Sequence, residues 1–138
     1  MKQQDVRTRA ELENAVAEGL EPEFLFFWGH RPSQDGQLTK SCLSQWWMSS
    51  FEVDGEQFLT AEHFMMAGKA HLFEDEDVRQ QILAAETPSQ AKKLGRKVSG
   101  FDDEAWKAAR FEIVVSGNVA KFAQNARLTE FLLSTGKK

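Results

Sequence analysis

The sequence contains no tyrosine, three prolines and a single cysteine among its 138 residues. Cys42 closes no internal disulfide by itself, and the Cys and His residues fall at no zinc-ligand spacing. Nowhere do about eighteen apolar residues run together, the length a membrane-spanning helix needs, and the first ten residues are polar rather than leader-like. No Walker-type loop, dinucleotide fingerprint or Gly-x-Ser-x-Gly elbow occurs. Basic excess is missing too: 17 Lys and Arg stand against 21 Asp and Glu, for a net charge of -4. An acidic chain does not hold a polyanion by bulk attraction, which argues against sequence-independent nucleic-acid binding but leaves room for a local basic pocket holding one or two phosphates. These absences lead us to expect a protein of a reducing compartment, the cytoplasm, with no membrane partner and neither metal nor organic cofactor.

What remains is an ordinary globular mixture, 41% hydrophobic and 28% charged, in a chain long enough to bury one core. Residues 7–19 place Leu12 and Val16 at helical spacing, continued by Leu20, with Gly19 at a C-cap position. The run Phe24-Leu25-Phe26-Phe27-Trp28 reads as a buried strand, and the glycine-bounded stretch 29–36, with Pro32 inside, as a loop. Residues 51–53 and 57–59 flank Asp54-Gly55, a dipeptide that accepts the positive φ angles of a hairpin turn. Thr60 is positioned to cap a helix over 61–73. Further helices are expected over 75–85, from the Thr87-Pro88-Ser89-Gln90 capping box to Gly95, and from Asp102 onward along a stripe of Trp106, Ala109, Ile113 and Val114. Gly117-Asn118 is expected to break or bend that long helix, 119–124 to continue it, and 128–133 to form a last short one. A few short strands in the N-terminal half, followed by helices, make a mostly helical α+β domain.

The Thr60 helix is the most informative segment. At about 100° per residue, Glu62, Met66, Lys69 and Phe73 share one face. Glu62 and Lys69 are separated by roughly 10 Å along the axis, too far for a direct bond, so facing a common hollow they would act on different parts of one substrate. Periodicity alone favours the plainer arrangement, both groups lying at the edge of the stripe and reaching water. His63 points about 100° away from Glu62 and reads as a hydrogen-bonded structural residue. His30 and Arg31, following Gly29 in a loop with free amides, suit an anion. Trp46-Trp47 either stack a planar base or roof the core. Arg96 and Arg110 either fork onto a phosphate or pair with surface carboxylates, the ion pair being the default. Asn118 either bonds a ligand or caps a helix, capping being the default. Cys42 has no histidine partner in sequence and is not expected to be a nucleophile.

Taken in order, Trp28-Gly29-His30, Leu43-Ser44-Gln45-Trp46-Trp47, Val53-Asp54-Gly55, Thr60-Ala61-Glu62-His63-x-Met65-Met66-Ala67-x-Lys69-Ala70 and Ala91-Lys92-x-Leu94-Gly95-Arg96 form a pattern. It continues with Gly100-Phe101-Asp102, Trp106, Arg110, Gly117-Asn118-x-Ala120-Lys121-Phe122 and Gln124-Asn125. Together these closely resemble the YbiA-like, or NADAR, family of N-glycosidases, over residues 24–136. The resemblance implies a hydrolase that cleaves N-glycosidic bonds of ribosylated bases. Its small-molecule substrates would be phosphoribosyl or ADP-ribosyl compounds: ribosylamino-pyrimidine 5′-phosphates of riboflavin biosynthesis, or ADP-ribosylated guanine, including in modified nucleic acid. It implies Glu62 as the catalytic carboxylate with Lys69 beside it in the pocket. Gly29, His30, Arg31, Trp46, Trp47, His63, Arg96, Trp106, Arg110 and Asn118 would then be substrate contacts. It further implies a single YbiA-like domain over 1–138, with 1–22 an N-terminal helical extension. The family pattern continues past Thr135-Gly136 with a segment, including an aspartate, that is absent here. The alternative expectation is therefore a non-catalytic module that binds ADP-ribose or a phosphoribosyl group.

Overall fold

The computed structural model describes residues 5–35, 37–136 and 138, so that Met1–Gln4 and Gly36, the far boundary of the expected loop, lie outside the described residues. In chain order the elements are helix α1 (Arg9–Ala17), a 3-10 turn (Lys40–Leu43), strands β1 (Phe51–Val53) and β2 (Glu56–Phe58), and helices α2 (Ala61–Leu72), α3 (Glu76–Ala84), α4 (Pro88–Gly95), α5 (Asp103–Ala123) and α6 (Ala126–Ser134). This is a mostly helical α+β architecture. The starts of five of the helices are set locally by an oxygen that accepts an amide the helix leaves unpaired. Thr8, Thr60, Asp75, Thr87 and Asp102 do this for α1 to α5, and Thr87 with Gln90 closes a full capping box. The strands pair antiparallel with Phe51 opposite Phe58. Asp54 and Gly55, at φ 52° and 82°, supply the two positive angles of the intervening turn.

Helix α2 is the hub, packing against α3, α4 and α5. Its Met66, Ala67 and Ala70 meet Phe51, Phe58, Ile82 and Trp106 in the principal core. A smaller cluster of Cys42, Trp47 and Leu128, flanked by Phe122 and Phe131, joins the 3-10 turn to the end of α5 and to α6. Gly95 and Gly117 permit close approach. A Cβ at Gly95 would meet Met66 Sδ at 2.1 Å, and one at Gly117 would meet Phe64 Cδ1 at 2.6 Å. Gly117 is therefore no break: α5 runs unbroken from Asp103 to Ala123, and the missing side chain makes room for the Phe64 ring.

Residues 24–28 differ from expectation as well. They form no strand, and Phe24, Phe26, Phe27 and Trp28 are exposed, Trp28 by 83%. A short apolar run becomes a strand only where a sheet edge accepts its backbone. Among the described residues the sheet consists of β1 and β2 alone.

Candidate functional site

The first turn of α2 carries the most unusual pair of side chains in the molecule. Thr60, at the N-cap, accepts from the amide of His63 at 3.1 Å. The His63 ring is also committed, with Nδ1 2.7 Å from Thr60 Oγ1 and Nε2 2.9 Å from the carbonyl of Ala85. With 1% of its surface exposed, His63 pins α2 to the end of α3, and burial holds its pKa below the ordinary range. Both of its ring nitrogens are thereby engaged within the scaffold.

Glu62 turns the other way. Its amide donates to the carbonyl of Gln45 at 3.1 Å, and the residue is only 8% exposed. Neither edge-lying nor water-reaching, the carboxyl is pushed above the usual range by burial, opposed by the ammonium of Lys92 and the indole hydrogen bond of Trp46. Lys92 rises from the last turn of α4 with its Nζ 5.8 Å from the Trp46 ring. The site therefore begins with a desolvated acid, a cation and an aromatic N–H converging from α2, α4 and the segment after the 3-10 turn.

Two turns further along α2, Lys69 Nζ lies 4.7 Å from the ring of Phe101 and 5.8 Å from that of buried Trp106. Burial lowers its pKa, and the guanidinium of Arg96 lowers it further. Lys92 and Arg96 are four apart on α4 and so share a face, one acting on Glu62 and the other on Lys69. Met66 fills the space between, pressed against Gly95. The α2–α4 seam is thus acidic at one end, and at the other carries two like charges that repel, an arrangement an anion would relieve.

Beside Trp46 opens a hollow of about 420 Å³, walled by His30, Arg31, Trp46, Trp47 and the Thr87–Ser89 start of α4. The His30 ring meets Trp46 edge-on at 5.4 Å. Trp47 lines this hollow while packing into the smaller core. Glu62 is not among the lining residues; Trp46 is the shared wall between hollow and carboxyl.

The remaining candidates are scattered. Gly29 adopts φ 76° with open space around it. Arg110 is exposed, and no hydrogen bond or ion pair is seen for it among the described residues. Asn118 donates to Gln45 Oε1 at 2.6 Å and to the carbonyl of Val114 at 2.9 Å, a bond to the chain that carries the tryptophans rather than a helix cap. Reasoning from sequence passed over Lys92, Gln45 and Phe101. For Lys92 the signal was present: its four-residue spacing from Arg96 on a helix whose start is fixed by a capping box. Among the described residues no group of three or more His, Cys, Asp or Glu side chains is placed to hold a metal ion, and no helix is long and apolar enough to cross a membrane.

Comparison with known proteins gives this geometry a context. The NADAR domain matches residues 26–138. N-glycosidase R617 of Acanthamoeba polyphaga mimivirus is 37% identical over 121 residues, covering 84% of this chain and 69% of that protein. N-glycosidase YbiA of Escherichia coli (strain K12) is 33% identical over 84 residues, 61% of this chain and 51% of its own. Riboflavin biosynthesis protein VVA0006 of Vibrio vulnificus (strain YJ016) is 31% identical over 94 residues, 68% of this chain and 25% of its own. The NMR structure of Escherichia coli YbiA superposes with a TM-score of 0.61 at 30% identity, covering 70% of this chain and 55% of that one. The chain therefore spans about half the length of the YbiA relatives it matches.

Proposed function

The chain belongs to the NADAR family, and from that premise we propose that it is a hydrolase of N-glycosidic bonds in ribosylated bases, with Glu62 as the reacting carboxylate. The names of the mimivirus and Escherichia coli relatives support the reaction class. The Vibrio relative's name favours ribosylamino-pyrimidine 5′-phosphates as substrates over ADP-ribosylated guanine. The acidic balance of the chain, -4 overall, likewise favours a free metabolite over a nucleic acid.

One observation carries the reading: Glu62 is an almost fully buried carboxyl at the start of α2, its pKa raised by burial against the opposing influence of the Lys92 charge and the Trp46 indole. As the C1′–N bond lengthens, positive charge builds at C1′, and an anion in a low-dielectric wall stabilises it more than water does. The raised pKa also suits proton transfer. In the overall reaction the C1′–N bond breaks, the departing base gains a proton, and oxygen from water bonds to C1′. Arg96, at the far end of the seam, would hold the phosphate, so that binding energy remote from the reacting bond orients it. Burial and Arg96 both favour the neutral amine of Lys69. That form could condense with the ring-opened C1′ aldehyde, losing water to give a Schiff base. The hollow beside Trp46 would take the planar base.

The test is release of free base from a ribosylamino-pyrimidine 5′-phosphate by the chain and by its Glu62→Gln variant. Release by the first and none by a folded second is the expected result. Full activity in the variant removes Glu62 from the reaction. Thermal stabilisation by ADP-ribose without any release identifies a binding module instead.

A further inference from the structure

Among the described residues Lys121 is the largest side chain that the fold buries completely, at 0% exposure, and none of their carboxylates pairs with it. Its Nζ donates to the carbonyls of Cys42 at 2.7 Å and Ser44 at 2.8 Å. These carbonyls belong to the 3-10 turn and the residues just after it; that of Ser44 also accepts the Trp47 amide at 3.1 Å, so Lys121 ties the Cys42 carbonyl to a turn that leads directly into the tryptophans. The neighbours of Lys121 on α5 hold the same stretch of chain. Asn118 reaches Gln45, while Gln124 exchanges two bonds with the backbone of Glu52 at 2.8 and 2.6 Å. One face of α5 is thus a polar seam against residues 42–52, and Lys121 is its charged member.

That stretch delivers the site. Directly after Ser44, Gln45 accepts the amide of Glu62 through its carbonyl, and Trp46 reaches the Glu62 carboxyl with its indole. Gln45 Nε2 is buried without a partner, so no other bond of that amide nitrogen would hold the segment if the seam loosened. An unpaired ammonium is costly to bury, and an apolar side chain of the same length would pack there at less cost. The cost is intelligible where the backbone it fixes must be held to a fraction of an ångström.

We infer that Lys121 is a positioning residue: by fixing the Cys42–Ser44 backbone it sets Trp46 against Glu62. The inference rests on the proposed role of Glu62, yet its test does not need turnover. The charged and titratable groups facing the two ends are few: Lys92 from α4 at Glu62, and the Cys42 thiol at Lys121. The Glu62 carboxyl is titrated by carbon-13 NMR in the wild type, Lys121→Met, Trp46→Phe and the double variant. Trp46→Phe removes the indole bond and should raise the Glu62 pKa. Lys121→Met should raise it in the same direction, and the double variant should go no further than Trp46→Phe alone. An unshifted Glu62 in folded Lys121→Met, or shifts that simply add, overturns the inference. Should Lys121→Met fail to fold, Lys121→Arg, which keeps donors but displaces them, is put through the same comparison with the same two readings. The role of Glu62 stands or falls separately, on base release by Glu62→Gln.

Discussion

The carbonyl of Gln45 accepts the backbone amide of Glu62 at 3.1 Å. This bond satisfies one of the amides that the start of α2 leaves unpaired, and it fixes where the tryptophan segment meets the helix. Glu62 also sits in the first turn, where the positive end of the helix dipole favours an anion by about 0.3–1 kcal/mol. Its pKa is nevertheless raised. Loss of water around the carboxyl outweighs the dipole, the Trp46 bond and the Lys92 charge together.

Lys92 should therefore govern the acid side of the pH profile. It lowers the Glu62 pKa, so Lys92→Met should raise it and move the acid limb of kcat/KM to higher pH. Because Lys92 is exposed, the wild-type advantage should shrink as salt rises. Profiles at low and high ionic strength check this, and an acid limb unmoved by the substitution contradicts it.

Glu62 should also cost stability at neutral pH. A carboxyl whose folded pKa lies above its unfolded value binds more protons when folded. Folding is then weakened as pH rises from the unfolded pKa through the folded one. Glu62→Gln, lacking the charge, should show a higher Tm than wild type at pH 7, and the two should converge toward pH 4. Calorimetry at both pH values decides it; a lower Tm for the variant at pH 7 runs against the argument.

These consequences were only partly legible in the sequence. The caps at Thr60 and Thr87 and the Asp54-Gly55 turn act through atoms within a few residues, so reading them locally sufficed. The stripe of Glu62, Met66 and Lys69 was equally plain, but periodicity names a face without saying what opposes it. The cation opposite Glu62 is one of two adjacent lysines on a surface helix, where solvated charge is the ordinary expectation. The strand expected at 24–28 failed for the same reason: its realisation depended on a sheet edge far away in sequence. Gly117 was ambiguous because a glycine that ends a helix and one that admits a neighbouring ring look alike until Phe64 is placed beside it.

Gly95→Ala separates helix propensity from packing. In a free helix the change would stabilise by roughly 1 kcal/mol, but here the new Cβ would stand 2.1 Å from Met66 Sδ and 3.1 Å from its Cγ. Met66 must swing out of the α2–α4 seam, with an expected net loss of about 1–3 kcal/mol. It should also weaken phosphoribosyl binding, since Lys69 and Arg96 then separate. Chemical denaturation reads the first effect and KM the second; a variant as stable as wild type would mean that the seam has slack.

Lys121 makes the last prediction, about alkaline pH. Burial lowers its pKa from 10.5 to about 8, so between those values the unfolded chain holds a proton that the folded one has released. Stability then rises with pH across that interval, because the cost of burying the charge disappears as the charge does. The full effect is about 3 kcal/mol, of which about 1 kcal/mol should be recovered between pH 8 and 9. Above 9 the Cys42 thiol works against it. Its pKa is raised by burial, so stability held below the unfolded thiol pKa is lost as pH climbs further. The clean window is therefore pH 8 to 9. There the urea midpoint of the wild type should rise relative to that of Lys121→Met, and parallel curves for the two proteins would mean that the ammonium keeps its proton.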